Sequence, residues 1–433
     1  MTLFACKATL ISSVSFEELS IRKDSYIIVR DGMIEKIADR IPEEYRDIPV
    51  HDYGSALLIP AFSDLHLHAP QYVQRGVGMD KLLFDWLNDY TFPQEAGFRD
   101  LAYARAIYPQ LIRDLLKHGT FHAAFFTTIH YDACDLFFRM LGESGMYAYT
   151  GKINMDSNSP DYYVEETEKS IADTERFLFE HKDLYGGRVQ SLIIPRFAPT
   201  CSEKLLKGLG ELAGKYGAGV HTHVVESKAE AAWSRELFPQ YASDADIYEQ
   251  TGLLQGKGPK IFAHVIFPTE DDERVIKKYN CISVHCPIST NNITAGVMAV
   301  KKMHESGYTI ALGSDIGGGH RTGIYDVVSS AIQSSKLRAF YLEDDSRLSL
   351  ANAFYLATAA GGSVFAENIG KLEEGFRFNA LVLDGMQDEG REMTAEERLE
   401  RFCYCGDDRN IKARYLNGKQ IDPEEVYERL KRL

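Results

Sequence analysis

No stretch of this chain strings together the ~18 uncharged apolar residues that a membrane span requires. Its first sixteen residues carry Lys7 in their middle and lack a sustained apolar run, so they read as a strand and not as a secretory leader. Basic charge is scarce: 48 Lys and Arg face 63 Asp and Glu in 433 residues, a formal net charge of −15. That balance excludes a polybasic membrane anchor and a nucleic-acid groove, both of which need a cationic stripe. It leaves small neutral ligands open. Cysteine is thin and unpaired in pattern: seven residues, an odd number, with no Cys-x-x-Cys. A reduced, cytoplasmic compartment follows as the expectation. Cys403-Tyr404-Cys405 has no partner pair nearby and reads as two ordinary thiols. Internal repeats, low-complexity tracts and flexible linkers are missing too.

What is present is the composition of an ordinary globular protein, 45% hydrophobic and 26% charged, and long enough for a large core. Residues 1–56 read as short strands and turns; Tyr26 to Arg30, the turn Asp31-Gly32 and Met33 to Ile37 form a hairpin. From residue 57 short apolar strands alternate with amphipathic helices. The strands are expected at 56–68, 121–127, 146–153, 189–196, 218–225, 260–265, 281–286 and 309–315. The helices are expected at 101–117, 164–179, 203–215, 270–279 and 297–305. Eight such units in succession predict an α/β fold built on a parallel (β/α)8 barrel over residues 57–368. The runner-up, an open doubly wound sheet, usually carries a Gly-rich phosphate loop after its first strand; here that strand leads to His-Leu-His. Residues 369–433 return to strand and turn, with apolar runs at 377–383 and 411–415 and a charged helix over 423–433. The two β-rich ends, 1–56 and 369–433, are expected to fold together as a small β-sandwich.

The chemistry begins at Asp64-Leu65-His66-Leu67-His68. In a strand, residues i and i+2 share a face, so His66 and His68 project together at the strand's C-terminal end. That end of a barrel is where active sites form, and two adjacent imidazoles there suit a metal. Three further strand ends supply polar groups: His223-Val224-Val225-Glu226 on the fifth, His264 on the sixth, and Gly313-Ser314-Asp315 on the eighth. His221 shares a face with His223 and competes with it, but sits deeper toward the core layers. An Asp ending an apolar strand needs a compensating charge, which a metal provides. Three His and one Asp with room for water describe a catalytic metal site, not a structural one.

On these residues the chain resembles the amidohydrolase superfamily. The resemblance rests on Pro60 to His68, His223-x-x-Glu226, His264 and Gly-Ser-Asp315, and extends to Arg30-Asp31-Gly32-x-Ile34 and to Ile369 to Gly375. It implies a barrel with a composite β-sandwich from both termini. Two-metal members carry a lysine at the end of the fourth strand; residues 189–200 contain none, which implies the single-metal deaminase branch. His68-Ala69-Pro70-Gln71-Tyr72, Leu83-x-x-Trp86-Leu87-x-x-Tyr90-Thr91-Phe92-Pro93-x-Glu95, Pro195-Arg196-Phe197, His285-Cys286-Pro287 and Asp315-Ile316-Gly317-Gly318-Gly319 narrow the match to members that deaminate guanine. Departures are Ala61 for the usual glycine, Thr290 for an asparagine, and His320-Arg321 after the Gly-rich turn, the last bearing on the pocket rim and so on substrate range.

The resemblance implies one zinc ion, with iron(II) as the alternative metal, on His66, His68, His223 and Asp315. Asp315 takes a proton from water, Glu226 delivers one to the ring, and an uncoordinated His264 polarises the reacting centre. Gln71, Arg196 and Phe197 bind a purine: fixed donors for its carbonyl, a face to stack on and an amide. A homodimer is implied. Another single-metal hydrolase, acting on a triazine, pterin or adenosine-like compound, stays open. So does a non-enzymatic scaffold of this fold, though such proteins have lost metal ligands that are all filled here. Zinc deaminases of bases within nucleic acids use a Pro-Cys-x-x-Cys element that this chain lacks.

Overall fold

A computed structural model describes residues 2–387 and 390–433; Met1, where the first expected strand begins, lies outside the described residues. Eight parallel strands follow in chain order: Phe62–His68, Thr120–Phe126, Tyr147–Thr150, Val189–Pro195, Gly219–Val224, Lys260–His264, Ile282–His285 and Thr309–Leu312. The eighth meets the first through the Asp315 amide, which donates to the His66 carbonyl at 2.8 Å, and the His68 amide, which donates to the Ile316 carbonyl at 2.7 Å. The result is the expected barrel. Its strands are apolar on both faces because one faces the barrel interior and the other the surrounding helices; all seven residues of Thr120–Phe126 are buried.

The helices between the strands follow the amphipathic pattern. Leu101–Lys117 forms as expected, capped by Asp100, whose carboxylate accepts from the Ala102 amide. Its Ala104, Ile107, Tyr108, Leu111, Ile112 and Leu115 recur at three- and four-residue steps and are buried. Helix Glu203–Tyr216 ends on Gly217, whose φ of 64° supplies the left-handed stop. Further helices form that the sequence reading passed over, among them Tyr131–Ser144, Ile324–Leu342 and Ala395–Cys405. The last carries Cys403, buried, and Cys405, exposed, both free thiols.

The expected strand over 56–68 is in fact two strands. Val50–Pro60 belongs to a separate seven-stranded mixed sheet, and the barrel strand starts at Phe62. Both halves are buried, so the apolar run shows no break except at Pro60. The seven-stranded sheet unites the ends of the chain: Val50–Pro60 pairs parallel with Leu3–Ser13 and antiparallel with Ala380–Leu383. The hairpin of Leu19–Arg30 and Met33–Ala38 turns through Asp31 and Gly32, both at positive φ. This sheet has its own core, including Cys6, Ile27, Leu58, Phe378 and Tyr415. A buried polar chain pins it to the barrel floor: Asn379 Nδ2 meets His122 Nε2 at 2.9 Å, and His122 Nδ1 meets Ser63 Oγ at 3.1 Å. Among the described residues no helix is long and apolar enough to cross a membrane.

Candidate active site

The polar strand ends converge. His66 Nε2 and His68 Nε2 lie 3.3 and 3.4 Å from Asp315 Oδ1, and His68 Nε2 lies 3.2 Å from His223 Nε2. Donor atoms of His66, His223 and His264 also fall within 4.8 Å of one another, as do those of Glu226, His264 and Asp315. His264 Nε2 is 3.4 Å from Glu226 Oε1 and 3.8 Å from Asp315 Oδ2. His221 sits one layer deeper, as expected; its Nε2 hydrogen-bonds with His66 Nδ1 at 2.9 Å.

The tautomers favour a cation at the centre. His223 Nδ1 donates to the Arg196 carbonyl at 2.6 Å, which leaves the lone pair of Nε2 facing the cluster. His66 Nε2 is fully buried and has no hydrogen-bond partner. Buried imidazole nitrogens gathered around a carboxylate oxygen, with His66 Nε2 and His264 Nε2 left without a hydrogen-bond partner, fit a metal, and a set of imidazole nitrogens and one carboxylate oxygen suits zinc. Phe126, at the end of the second strand, fixes the imidazoles from the side. Its ring centroid lies 5.2, 4.8 and 4.7 Å from those of His66, His68 and His223.

Electrostatics separate the acids. Burial opposes charge on Asp315, but His66 beside it, by charge and hydrogen bond, holds its carboxyl well below the usual range. Burial, then the neighbouring carboxylates Asp315 and Glu230, push Glu226 well above it. Burial lowers the imidazoles of His68 and His223 well below normal and takes His264 down to about 3, so all three are neutral. One group ionised and one carrying a proton, side by side, is the pattern of an acid–base site.

Above the cluster opens a cavity of about 460 Å³, including the open space at its mouth. His68, Gln71, Arg196, Phe197, His223, Glu226 and Asp315 line it; His66 and His264 form its floor. Thus all nine candidate residues come together. Leu83, Trp86 and Leu87, from the long segment after the first strand, cover one side, and Ser289 and Ile293 another. That segment is irregular, with a π-helical turn at Leu87–Thr91 between two short helices. His320 and Arg321 do not line this cavity; both are exposed and face a separate polar cleft with Tyr72, Arg75 and His118.

Sequence reasoning missed three contributors. Glu95 is buried and bonds both Arg196 and Gln71. Glu230 lines the pocket and accepts from the Glu226 amide at 2.9 Å. Phe126 packs on the imidazoles. Glu95 stood inside a quoted motif, but no local signal links it to Arg196, 101 residues away.

A parallel barrel with a buried His/Asp cluster at its C-terminal mouth defines a metal-site hydrolase. The amidohydrolase family model matches residues 57–421. A guanine deaminase of Dictyostelium discoideum is 33% identical over 96% of this chain and 97% of its own length. That of Escherichia coli is 30% identical over 92% and 91%. The crystal structure of a guanine deaminase from C. acetobutylicum with guanine bound in the active site superposes with a TM-score of 0.94 at 41% identity, covering 97% of this chain and 100% of that one. The chain belongs to the amidohydrolase family and, within it, to the guanine deaminases.

Proposed function

We propose that the chain hydrolyses guanine to xanthine and ammonia, with one zinc ion held by His66, His68, His223 and Asp315. The convergence of His66 and His68 on Asp315, with His223 Nε2 beside His68 Nε2, at the base of the pocket lined by Gln71, Arg196 and Phe197 carries this reading. When bound, the ion supplies Lewis acidity that brings the pKa of a water toward roughly 7.

The chain's own groups do the rest. Arg196 and Gln71 donate hydrogen bonds to the carbonyl edge of the purine, and Phe197 offers its ring face. Trp86 and Leu87 exclude bulk water from the other side of the pocket. Asp315, ionised, accepts a proton from the attacking water through Oδ2. Glu226, protonated, gives its proton to ring nitrogen N3 as the water oxygen adds to C2. Neutral His264 stands between these two carboxyls and orients the water. Proton return to the exocyclic nitrogen releases ammonia, and the balance is guanine plus water to xanthine plus ammonia. The proposal includes a cytoplasmic homodimer. Seven unpaired cysteines support the compartment. The exposed Leu337, Phe340, Tyr341 and Leu342 at the end of helix Ile324–Leu342 support a further interface.

Purified protein incubated with guanine is expected to form xanthine, to stop after chelation and to resume when zinc is restored. Adenine, with an amine where guanine has its carbonyl, is expected to react poorly, because a site built to bond a carbonyl strongly rejects an analogue without it. No xanthine would overturn the function; comparable rates on both bases would overturn the role of Arg196.

A further inference from the structure

Glu95 lies behind the wall of the pocket and is fully buried. Its carboxylate accepts three hydrogen bonds, and Oε1 also lies 4.0 Å from His68 Nδ1. Oε2 accepts from one terminal nitrogen of Arg196 at 2.5 Å, and Oε1 from the other at 3.2 Å. Oε1 also accepts from Gln71 Nε2 at 2.7 Å. The far end of the same amide is held as well: Gln71 Oε1 accepts from the Gly317 amide at 3.0 Å. A donor at one end and an acceptor at the other leave the Gln71 amide a single orientation.

Arg196 is 2% exposed. The pocket that it lines also contains the carboxylate of Asp315. An unpinned guanidinium here would be drawn toward that carboxylate, where it would occupy substrate space and disturb the acid–base pair. The two-pronged contact with Glu95 is the geometry that carboxylate and guanidinium match best. The face of Phe92, 5.1 Å from the guanidinium carbon, holds the group on another side.

We propose that Glu95 is a specificity-determining positioning residue. It locks Arg196 and Gln71 into one rigid unit that reads the 6-oxo edge of the purine, and it does so without touching substrate. The proposal rests on the guanine reading above. Glu95 sits on the segment that also carries Trp86 and Leu87, so the same ion pair ties the cover of the pocket to the end of the fourth strand.

The test compares the parent chain with Glu95→Gln and Glu95→Asp on guanine and on 2-aminopurine, which keeps the reacting amine and lacks the 6-oxo group. Zinc content and thermal unfolding are measured in parallel. In Glu95→Gln, KM for guanine is expected to rise roughly 10- to 100-fold, the worth of one charge-assisted hydrogen bond, with kcat changed far less. The kcat/KM for 2-aminopurine is expected to stay within about threefold, so the preference for guanine collapses while zinc content holds. Glu95→Asp, which restores the charge, is expected to recover part of that preference. A working parent whose Glu95→Gln form keeps its guanine KM and preference would overturn this proposal alone. Equal losses on both substrates, tracking a fall in folded protein, would overturn it as well by making Glu95 merely structural. A parent that turns over neither base would overturn the guanine reading and this proposal with it.

Discussion

Glu226→Gln is the sharpest probe of the acid–base assignment. The substitution keeps the shape of the side chain and leaves the Glu226 amide free to donate to Glu230, since that bond is main-chain. It removes the proton that burial and the flanking carboxylates of Asp315 and Glu230 keep on the carboxyl. General acid–base help is worth roughly 10²–10⁴-fold, so kcat is expected to fall by that factor, about 2.7–5.4 kcal/mol of barrel-site transition-state stabilisation. Zinc content should stay at the parent level, because Glu226 is outside the four proposed ligands. Folding should not suffer either: a neutral amide replaces a carboxyl that would be costly to ionise where it sits. The assay pairs a coupled measurement of ammonia release with elemental analysis and a melting curve on the same preparation. Turnover within threefold of the parent would refute the proton-carrier role. Loss of zinc together with turnover would refute it differently, by making Glu226 a ligand beside His264 and Asp315, a grouping that the interatomic distances also permit.

Two further substitutions test the frame around the site. Asp244 is buried, and its carboxylate accepts from the Val225 amide at 3.3 Å; burial, then Asp272, raise its pKa to about 6 from an ordinary 3.8. The folded chain therefore holds this proton over a range where the unfolded chain has lost it, so stability is greatest below about pH 4 and declines as pH climbs to about 6. Asp244→Asn, which still offers an acceptor oxygen, should abolish that part of the decline and gain up to about 3 kcal/mol at pH 7 relative to the parent; parallel denaturant titrations at pH 4 to 7 that show no relative gain would contradict it. At Gly319 an added Cβ would stand 1.8 Å from the Ser314 carbonyl oxygen, too close without moving the turn that carries Asp315. Gly319→Ala is expected to lower zinc occupancy and to cut kcat by roughly tenfold or more, as a misplaced catalytic group does; parent-like occupancy and rate would show that the turn tolerates the shift.

The barrel was legible because its signal is periodic and repeated. Apolar strands and amphipathic helices alternate over some 250 residues, and each unit reinforces the reading of the next. The strand-end residues were legible for a related reason: a polar residue that ends an apolar strand stands out against its neighbours, as Asp315 does after Gly313-Ser314. Legibility failed where one run served two sheets. Residues 56–60 and 62–68 are all buried, yet the first strand pairs with Leu3–Ser13 and Ala380–Leu383 and the second with Thr120–Phe126. It failed also for groups whose role is set only by a distant partner. Phe126 has no polar atom to set it apart from the core residues beside it, and Glu95, though part of a quoted motif, gains its role only when Arg196 arrives from the fourth strand.

The backbone at the strand ends explains why these side chains converge so tightly. Val225, His264, Val265 and Asp315 all take left-handed φ values, of 43°, 74°, 48° and 49°. For branched or bulky residues this region is disfavoured, at a cost of order 1–3 kcal/mol for each. A strand that simply ran on would alternate its side chains between the barrel interior and the helices. A left-handed residue breaks that alternation and turns the next groups back over the mouth. At the fifth strand this brings Glu226 to the same centre as His223, three residues earlier, although three steps along a strand would put them on opposite faces. Neighbouring groups hold the turns in place. The Val265 amide donates to the Val224 carbonyl at 3.0 Å, the Asp315 amide to His66, and the Val225 and Glu226 amides to Asp244 and Glu230. The conformational cost of the site therefore falls on residues of the eight-stranded scaffold and on two buried acids outside the metal cluster. Substitution of those acids should disturb the position of Glu226 before it disturbs the fold.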